Sequence, residues 1–176
     1  MIEVNDTWGS PPARKVLIVD IDETLVYGRC RLPESLVFTD YDGVTSYTCP
    51  RPDSHQFLSE ATLEGWEIIS LTQGVVPYQK GVLECSGLLP YFHEVYGWES
   101  IYRHSCNWRE LREFLGDSKW VLVDNLPHPM LQEKQDWLGH ELDPSINFIQ
   151  CGEFRGQECS SLLELLPKIE ELLSLP

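Results

Sequence analysis

The chain has 176 residues and a formal charge of −15, from 13 Lys+Arg against 28 Asp+Glu. With 42% hydrophobic and 23% charged residues it has material for a sizeable core and is neither disordered nor fibrous. A field of that sign disfavours general binding to nucleic acid or anionic lipid.

Residues 1–13 read as a leader without the basic start and apolar stretch of a secretion signal. No apolar run reaches transmembrane length, so a cytoplasmic (or, in a eukaryote, nuclear) location is expected, without secretion or membrane attachment. The six cysteines include no C-x-x-C pair and the five histidines no H-x-x-x-H, which argues for reduced thiols and against structural zinc. One domain is expected over 14–176.

In chain order, Lys15-Val16-Leu17-Ile18-Val19 is a β-branched apolar run of the kind buried on both faces of a parallel sheet, and it ends in Asp20-Ile21-Asp22. Residues 28–50 form a β-rich insertion, with extended pieces at 36–39 and 44–48 around a turn at Tyr41-Asp42-Gly43. Its aromatics Phe38, Tyr41 and Tyr47 form either a substrate platform or a cover for the sheet. A helix capped near Asp53-Ser54 runs to Gly65. A strand over 66–71 follows, running into Thr72-Gln73-Gly74, and then a helix over 76–86. Residues 94–98 and 100–102 look extended, and Asn107 caps a helix that ends at Gly116. The strand 119–123 ends in Asp124-Asn125; 126–145 is weakly patterned; 146–149 is the last strand. Residues 160–173 are an amphipathic helical stretch that Pro167 should kink or split.

Strands alternate with helices, so the expected fold is α/β: a mostly parallel open sheet in a three-layer arrangement with one small β-rich insertion and no large cap. Such sheets bind ligands beyond the carboxyl ends of their strands, which here carry Asp20 and Asp22, Thr72, and Asp124 with Asn125. Carboxylates, a hydroxyl and an amide gathered there suit Mg²⁺ and phosphoryl transfer, with one Asp as nucleophile and the other as acid–base.

Asp20-Ile21-Asp22-Glu23-Thr24-Leu25-Val26 resembles the D-x-D-E-T-L-V of the FCP/SCP-like (NLI-interacting-factor-like) phosphatases, a branch of the haloacid dehalogenase (HAD) superfamily. Arg51-Pro52 with Phe57-Leu58, Tyr102-Arg103-His104-Ser105-Cys106, Asp124-Asn125-Leu126-Pro127 and Leu162 to Pro167 resemble further motifs of that branch. The resemblance implies a HAD-like Rossmannoid fold, Asp20 as nucleophile, Asp22 as acid–base, and Thr72 on the phosphoryl group. It also implies Mg²⁺ on Asp20, the Asp22 carbonyl and Asn125, with Asp124 nearby. Thr24, Gln73 and Arg103 are candidate substrate contacts. The branch also implies a phosphate-binding cation, for which the sequence offers Arg109 or Lys80.

The C-x₅-R pattern of Cys106 and Arg112 lacks the glycines of a thiol phosphatase loop and opens a helix instead. The expected activity is phosphomonoester hydrolysis through an aspartyl-phosphate, on phosphorylated Ser/Thr or Tyr of proteins, by a monomer. A small-metabolite phosphatase of the same fold and a non-catalytic interaction module are the alternatives.

Overall fold

The computed structural model describes residues 13–29, 31–100 and 103–175; side chains 100 and 103–106 are outside the description. The expected leader (1–12) and the extended residues Ile101 and Tyr102 therefore lie outside the described residues.

Six strands form the main sheet in the order β7-β6-β5-β1-β8-β9. They are β1 (Lys15–Val19), β5 (Glu67–Val75), β6 (Glu94–Ser100), β7 (Arg103–Cys106), β8 (Lys119–Asp124) and β9 (Phe148–Gln150). All neighbours are parallel except the edge strand β7, which runs antiparallel to β6. The small sheet is antiparallel, in the order β2-β4-β3, from β2 (Val26–Tyr27), β3 (Leu36–Thr39) and β4 (Thr45–Pro50). The fold is thus a mostly parallel α/β sheet with a β-rich insertion, as the strand pattern anticipated, and HAD-like, as the resemblance implied.

Period-two alternation builds the three layers. Leu17 and Val19 face one cluster with Phe57, Leu58, Leu83 and Ile169. These come from α1 (Ser54–Leu63), α2 (Val76–Cys85) and α5 (Leu166–Leu173). Val16 and Ile18 face the other, with Leu111 and Leu115 of α3 (Trp108–Leu115) and Trp137 and Leu138 of α4 (Gln132–Leu138). From β1 the chain builds outward to β5 and β6, then crosses back to β8 and β9 on the other side. The carboxyl end of β1 is therefore the topological switch point, where a crevice opens.

Several elements depart from expectation for local reasons. β5 begins at Glu67 and continues through Thr72-Gln73-Gly74 to Val75, with an irregular register against β6 between Leu71 and Val75. Gly97 permits this, since a Cβ there would stand 2.7 Å from the Thr72 carbonyl oxygen and 2.8 Å from that of Gly74. β9 starts at Phe148 instead of 146. The Asp143 carboxylate accepts from the Ser145 N–H and hydroxyl, and its carbonyl accepts from the Ile146 and Asn147 N–H groups, which keeps those residues in a turn. Pro167 splits the last stretch as foreseen: a 3₁₀ turn, Leu162–Leu165, precedes α5, and Pro167 falls in the first turn of α5, where its missing N–H costs nothing. Phe38 packs on Tyr78 of α2, centroids 5.8 Å apart, and against the core, so this aromatic of the insertion is taken up in packing.

The helix α4 is what the sequence concealed. Leu131, Lys134 and Leu138 are buried together at helical spacing, so a lysine stands where the pattern calls for an apolar residue. The Arg112 guanidinium of α3 donates through Nε to the Trp137 carbonyl (2.9 Å) and through Nη2 to that of Asp136 (2.6 Å), closing the carboxyl end of α4. Arg112 of the C-x₅-R pattern is thus committed to helix capping. Gly139 ends α4 at φ 72°, and a Cβ there would lie 2.9 Å from the Arg112 guanidinium carbon. Gly139→Ala is expected to cost about 1–3 kcal/mol, from left-handed strain plus a displaced cap, read by denaturant unfolding.

Candidate active site

At the carboxyl edge of β1, Asp20, Asp22, Glu23, Arg29, Thr72, Gln73, Gly74, Asn125 and Leu126 line a cavity of about 200 Å³. Three strand ends separated in sequence meet there, as the alternating pattern required. The surprise is the cation. The ammonium of Lys134 reaches up from α4 and lies 2.6 Å from Asp20 Oδ1 and 2.6 Å from Asp124 Oδ2. All three groups are buried.

Neither expected cation reaches the cavity. Lys80 lies on α2 and pairs with Glu94 at 2.7 Å, and Arg109 lies over the ring of Trp108 at 5.2 Å on the outer face of α3. The signal that would have found Lys134 was its position on an otherwise apolar helical face.

Thr24 is also corrected. Its side chain is fully buried and takes no part in the cavity wall. Its hydroxyl accepts from the Asn125 N–H (3.1 Å) and lies 3.3 Å from Asp20 Oδ2 and 3.1 Å from Asn125 Oδ1. It ties the β1 and β8 ends together and positions Asp20 instead of contacting substrate. Gln73 does line the cavity, and its amide donates to Glu133 of α4 at 3.1 Å. The Arg103 side chain lies outside the described residues.

Thr72 Oγ1 accepts from the Gly74 N–H at 3.0 Å, which leaves its O–H as a donor. Asp22 Oδ2 accepts from Gln79 Nε2 at 2.5 Å. Sequence reasoning missed Gln79, a buried residue of α2 seated over Gly74. A Cβ on Gly74 would fall 2.3 Å from Gln79 Nε2. Gly74→Ala is therefore expected to swing the amide off Asp22, reducing kcat about tenfold while unfolding free energy moves by less than about 1 kcal/mol, because only a flexible side-chain end must yield.

Arg51 is the other concealed residue. It is buried and donates through Nη1 to the carbonyls of Thr24 (3.2 Å) and Gly152 (3.0 Å), and through Nη2 to that of Ser160. It pins the loop carrying Asp22 to the loop after β9. Arg51→Met is expected to cost about 2–4 kcal/mol by leaving these buried carbonyls unpaired, measured by urea unfolding.

Burial pushes the Asp20 carboxyl up to about 7, against the attraction of Lys134 and with repulsion from Asp124 and Asp22 adding to it. Burial raises Asp22 too, opposed by its hydrogen bond from Gln79 and by Lys134. Burial alone would lower the Lys134 ammonium, but Asp20 and Asp124 outweigh it and hold it above the ordinary lysine range. The ammonium therefore stays charged.

The donor set fits Mg²⁺. Asp20 Oδ2 and Asn125 Oδ1 both lie within reach of the single Thr24 hydroxyl, which has one proton to give, so hard oxygen lone pairs remain. Asp124 is a poorer ligand than the sequence suggested, because Oδ2 holds Lys134 and Oδ1 accepts from the Leu126 N–H. Among the described residues no three His, Cys, Asp or Glu form a ready-made cage.

An α/β sheet with paired aspartates at its switch point, a threonine on the next strand and a buried lysine defines a phosphatase of the haloacid dehalogenase kind. Residues 15–175 match the NLI interacting factor-like phosphatase family, and the chain belongs to it. No curated protein matches. Among solved structures, one of an uncharacterized protein from Listeria monocytogenes serotype 4b is similar at 15% identity and a TM-score of 0.41, over 64% of this chain and 67% of that one. No helix among the described residues is long and apolar enough to cross a membrane.

Proposed function

We propose that the chain is a Mg²⁺-dependent phosphatase that hydrolyses phosphomonoesters through an aspartyl-phosphate on Asp20, with phosphorylated protein side chains as substrate. The observation that carries this reading is the convergence of Asp20, Asp22, Thr72 and Asn125 on one cavity, with Lys134 clamping Asp20 from behind.

An Asp20 carboxylate oxygen attacks phosphorus as the ester P–O bond breaks, and Asp22 gives its proton to the leaving oxygen. Water then attacks the same phosphorus while Asp22 takes the water proton, and the bond to Asp20 breaks to release phosphate. Thr72 donates to a non-bridging oxygen. The Gln79 amide fixes one Asp22 oxygen and so aims the other at the reacting atoms. Asp20, Asn125 and the Asp22 carbonyl would hold Mg²⁺, which would supply charge neutralisation for the phosphoryl oxygens.

The strand-end cavity has no helical lid among the described residues, which favours a phosphate on a bulky chain over an enclosed metabolite. The test is hydrolysis of p-nitrophenyl phosphate with Mg²⁺ or with EDTA, by wild type and Asp20→Asn. Activity should vanish with EDTA and in the variant; turnover by Asp20→Asn would remove the mechanism. Phosphoserine, phosphothreonine and phosphotyrosine peptides, run beside small sugar phosphates, separate the substrate classes.

A further inference from the structure

A dianionic substrate must enter a site that is itself acidic. Lys134 is fully buried and shared between two carboxylates, so it presents no charge to the cavity mouth. Among the described residues, Arg29 is the one basic side chain in the cavity wall. Its Nε lies 2.9 Å from Glu23 Oε1, and its side chain is 71% exposed. Glu23 itself is buried, at φ 61°, a conformation that residues with a Cβ rarely adopt. Strain of this kind persists only where surrounding contacts enforce it. Here the Glu23 N–H donates to the Val26 carbonyl (2.7 Å) and its C=O accepts from the Phe154 N–H (2.7 Å).

The strained residue thus holds a buried carboxylate at the cavity edge, and a second guanidinium approaches it. Arg155 Nε lies 4.0 Å from the same Glu23 Oε1, with its side chain 52% exposed. Arg155 also donates to Glu153 at 2.8 Å, a surface pair that an incoming anion displaces at little cost. Arg155 is not among the residues that line the cavity, so this second guanidinium stands beside the cavity and outside its wall.

We infer that Arg29 and Arg155, held by Glu23, form a second oxyanion subsite beside the catalytic cavity, which seats a further phosphate or carboxylate of the substrate. This rests on the phosphatase reading for the placement of the first phosphate, though not for the binding itself. Guanidinium forks suit both oxyanions, and a buried carboxylate behind them pre-organises the pair. In a chain of charge −15, two guanidiniums that only Glu23 and Glu153 offset mark where an anionic peptide can approach.

The experiment uses labelled phosphoserine peptides whose flanking residues are phosphoserine, glutamate or glutamine. Their affinity for the full chain carrying Asp20→Asn is read by fluorescence anisotropy. The second anion should tighten binding about fivefold to tenfold over glutamine, and the advantage should shrink as salt rises. Adding Arg29→Gln and Arg155→Gln, both at exposed positions, should reduce it to less than about twofold. An advantage shared by glutamate and phosphoserine assigns the subsite to any oxyanion; one confined to phosphoserine assigns it to phosphate. Equal affinity for the three peptides, no measurable binding of any, or an advantage that survives the arginine substitutions would overturn the subsite. Turnover of p-nitrophenyl phosphate by Asp20→Asn would instead sink the phosphatase reading and leave the binding ratio standing.

Discussion

Replacing Lys134 with Met is expected to abolish measurable phosphatase activity and to destabilise the fold by about 3–5 kcal/mol, or roughly 10 °C in Tm. Methionine fills much of the same volume, so the loss is electrostatic. Asp20 and Asp124 would be left buried with no countercharge, each having lost a 2.6 Å charge-assisted hydrogen bond. Asp20, the proposed nucleophile, would lose the partner on its Oδ1 and be free to rotate, for which a fall in kcat of at least about a thousandfold, to below detection, is expected. The sign of the pH effect follows from Lys134 lowering the Asp20 carboxyl: without it the carboxyl titrates higher still. The stability deficit should therefore narrow in acid, where the carboxylates are protonated, and widen as pH rises. Thermal unfolding of wild type and Lys134→Met across that range checks it. A deficit that does not vary with pH would mean that lost packing, and not the unpaired charges, destabilises the variant.

Asp20→Asn should separate activity from stability. Removing the proposed nucleophile is expected to lower turnover by at least about a thousandfold. The folded chain should nevertheless become more stable. Burial raises the Asp20 carboxyl from 3.8 to about 7, so the folded state holds that proton more tightly than the unfolded chain does. Below about 3.8 both states are protonated and the group contributes no difference. As pH rises from there to about 7 the unfolded chain ionises freely while the folded one resists, and stability is lost; above that it is constant. Asparagine carries no such penalty, and Lys134 keeps Asp124 as its partner. In chelator, the variant's Tm should match wild type in acid and exceed it by about 2–6 °C above neutrality. Equal Tm values at all pH would mean that Lys134 already neutralises Asp20 in full.

Much of this protein was legible in its residues. The run Lys15 to Val19 read as a strand buried on both faces, because it is short, continuous and rich in β-branched residues. With the two later apolar runs ending in Thr72 and Asp124, one sheet edge was bound to collect the polar groups. Those conclusions depend on period and on chain order, which are properties of the sequence alone.

The countercharge was decided only by the tertiary structure. Arg109 and Lys80 stand in stretches that read as helices, whereas Lys134 stands in the weakly patterned 126–145, where only its place among Leu131, Trp137 and Leu138 hinted at burial. What separates them is that α4 packs with Leu131 and Leu138 inward, so the residue between them on that face must enter the core beneath Asp20 and Asp124. Gln79 and Arg51 were hidden for the same reason, since each acts on a group 57 or 27 positions away in the chain. Sequence patterning reports which face of an element is apolar. Which polar side chain is forced inward, and what it meets there, depends on how elements remote in sequence pack, because a buried charge persists only where its partners have already been brought into place.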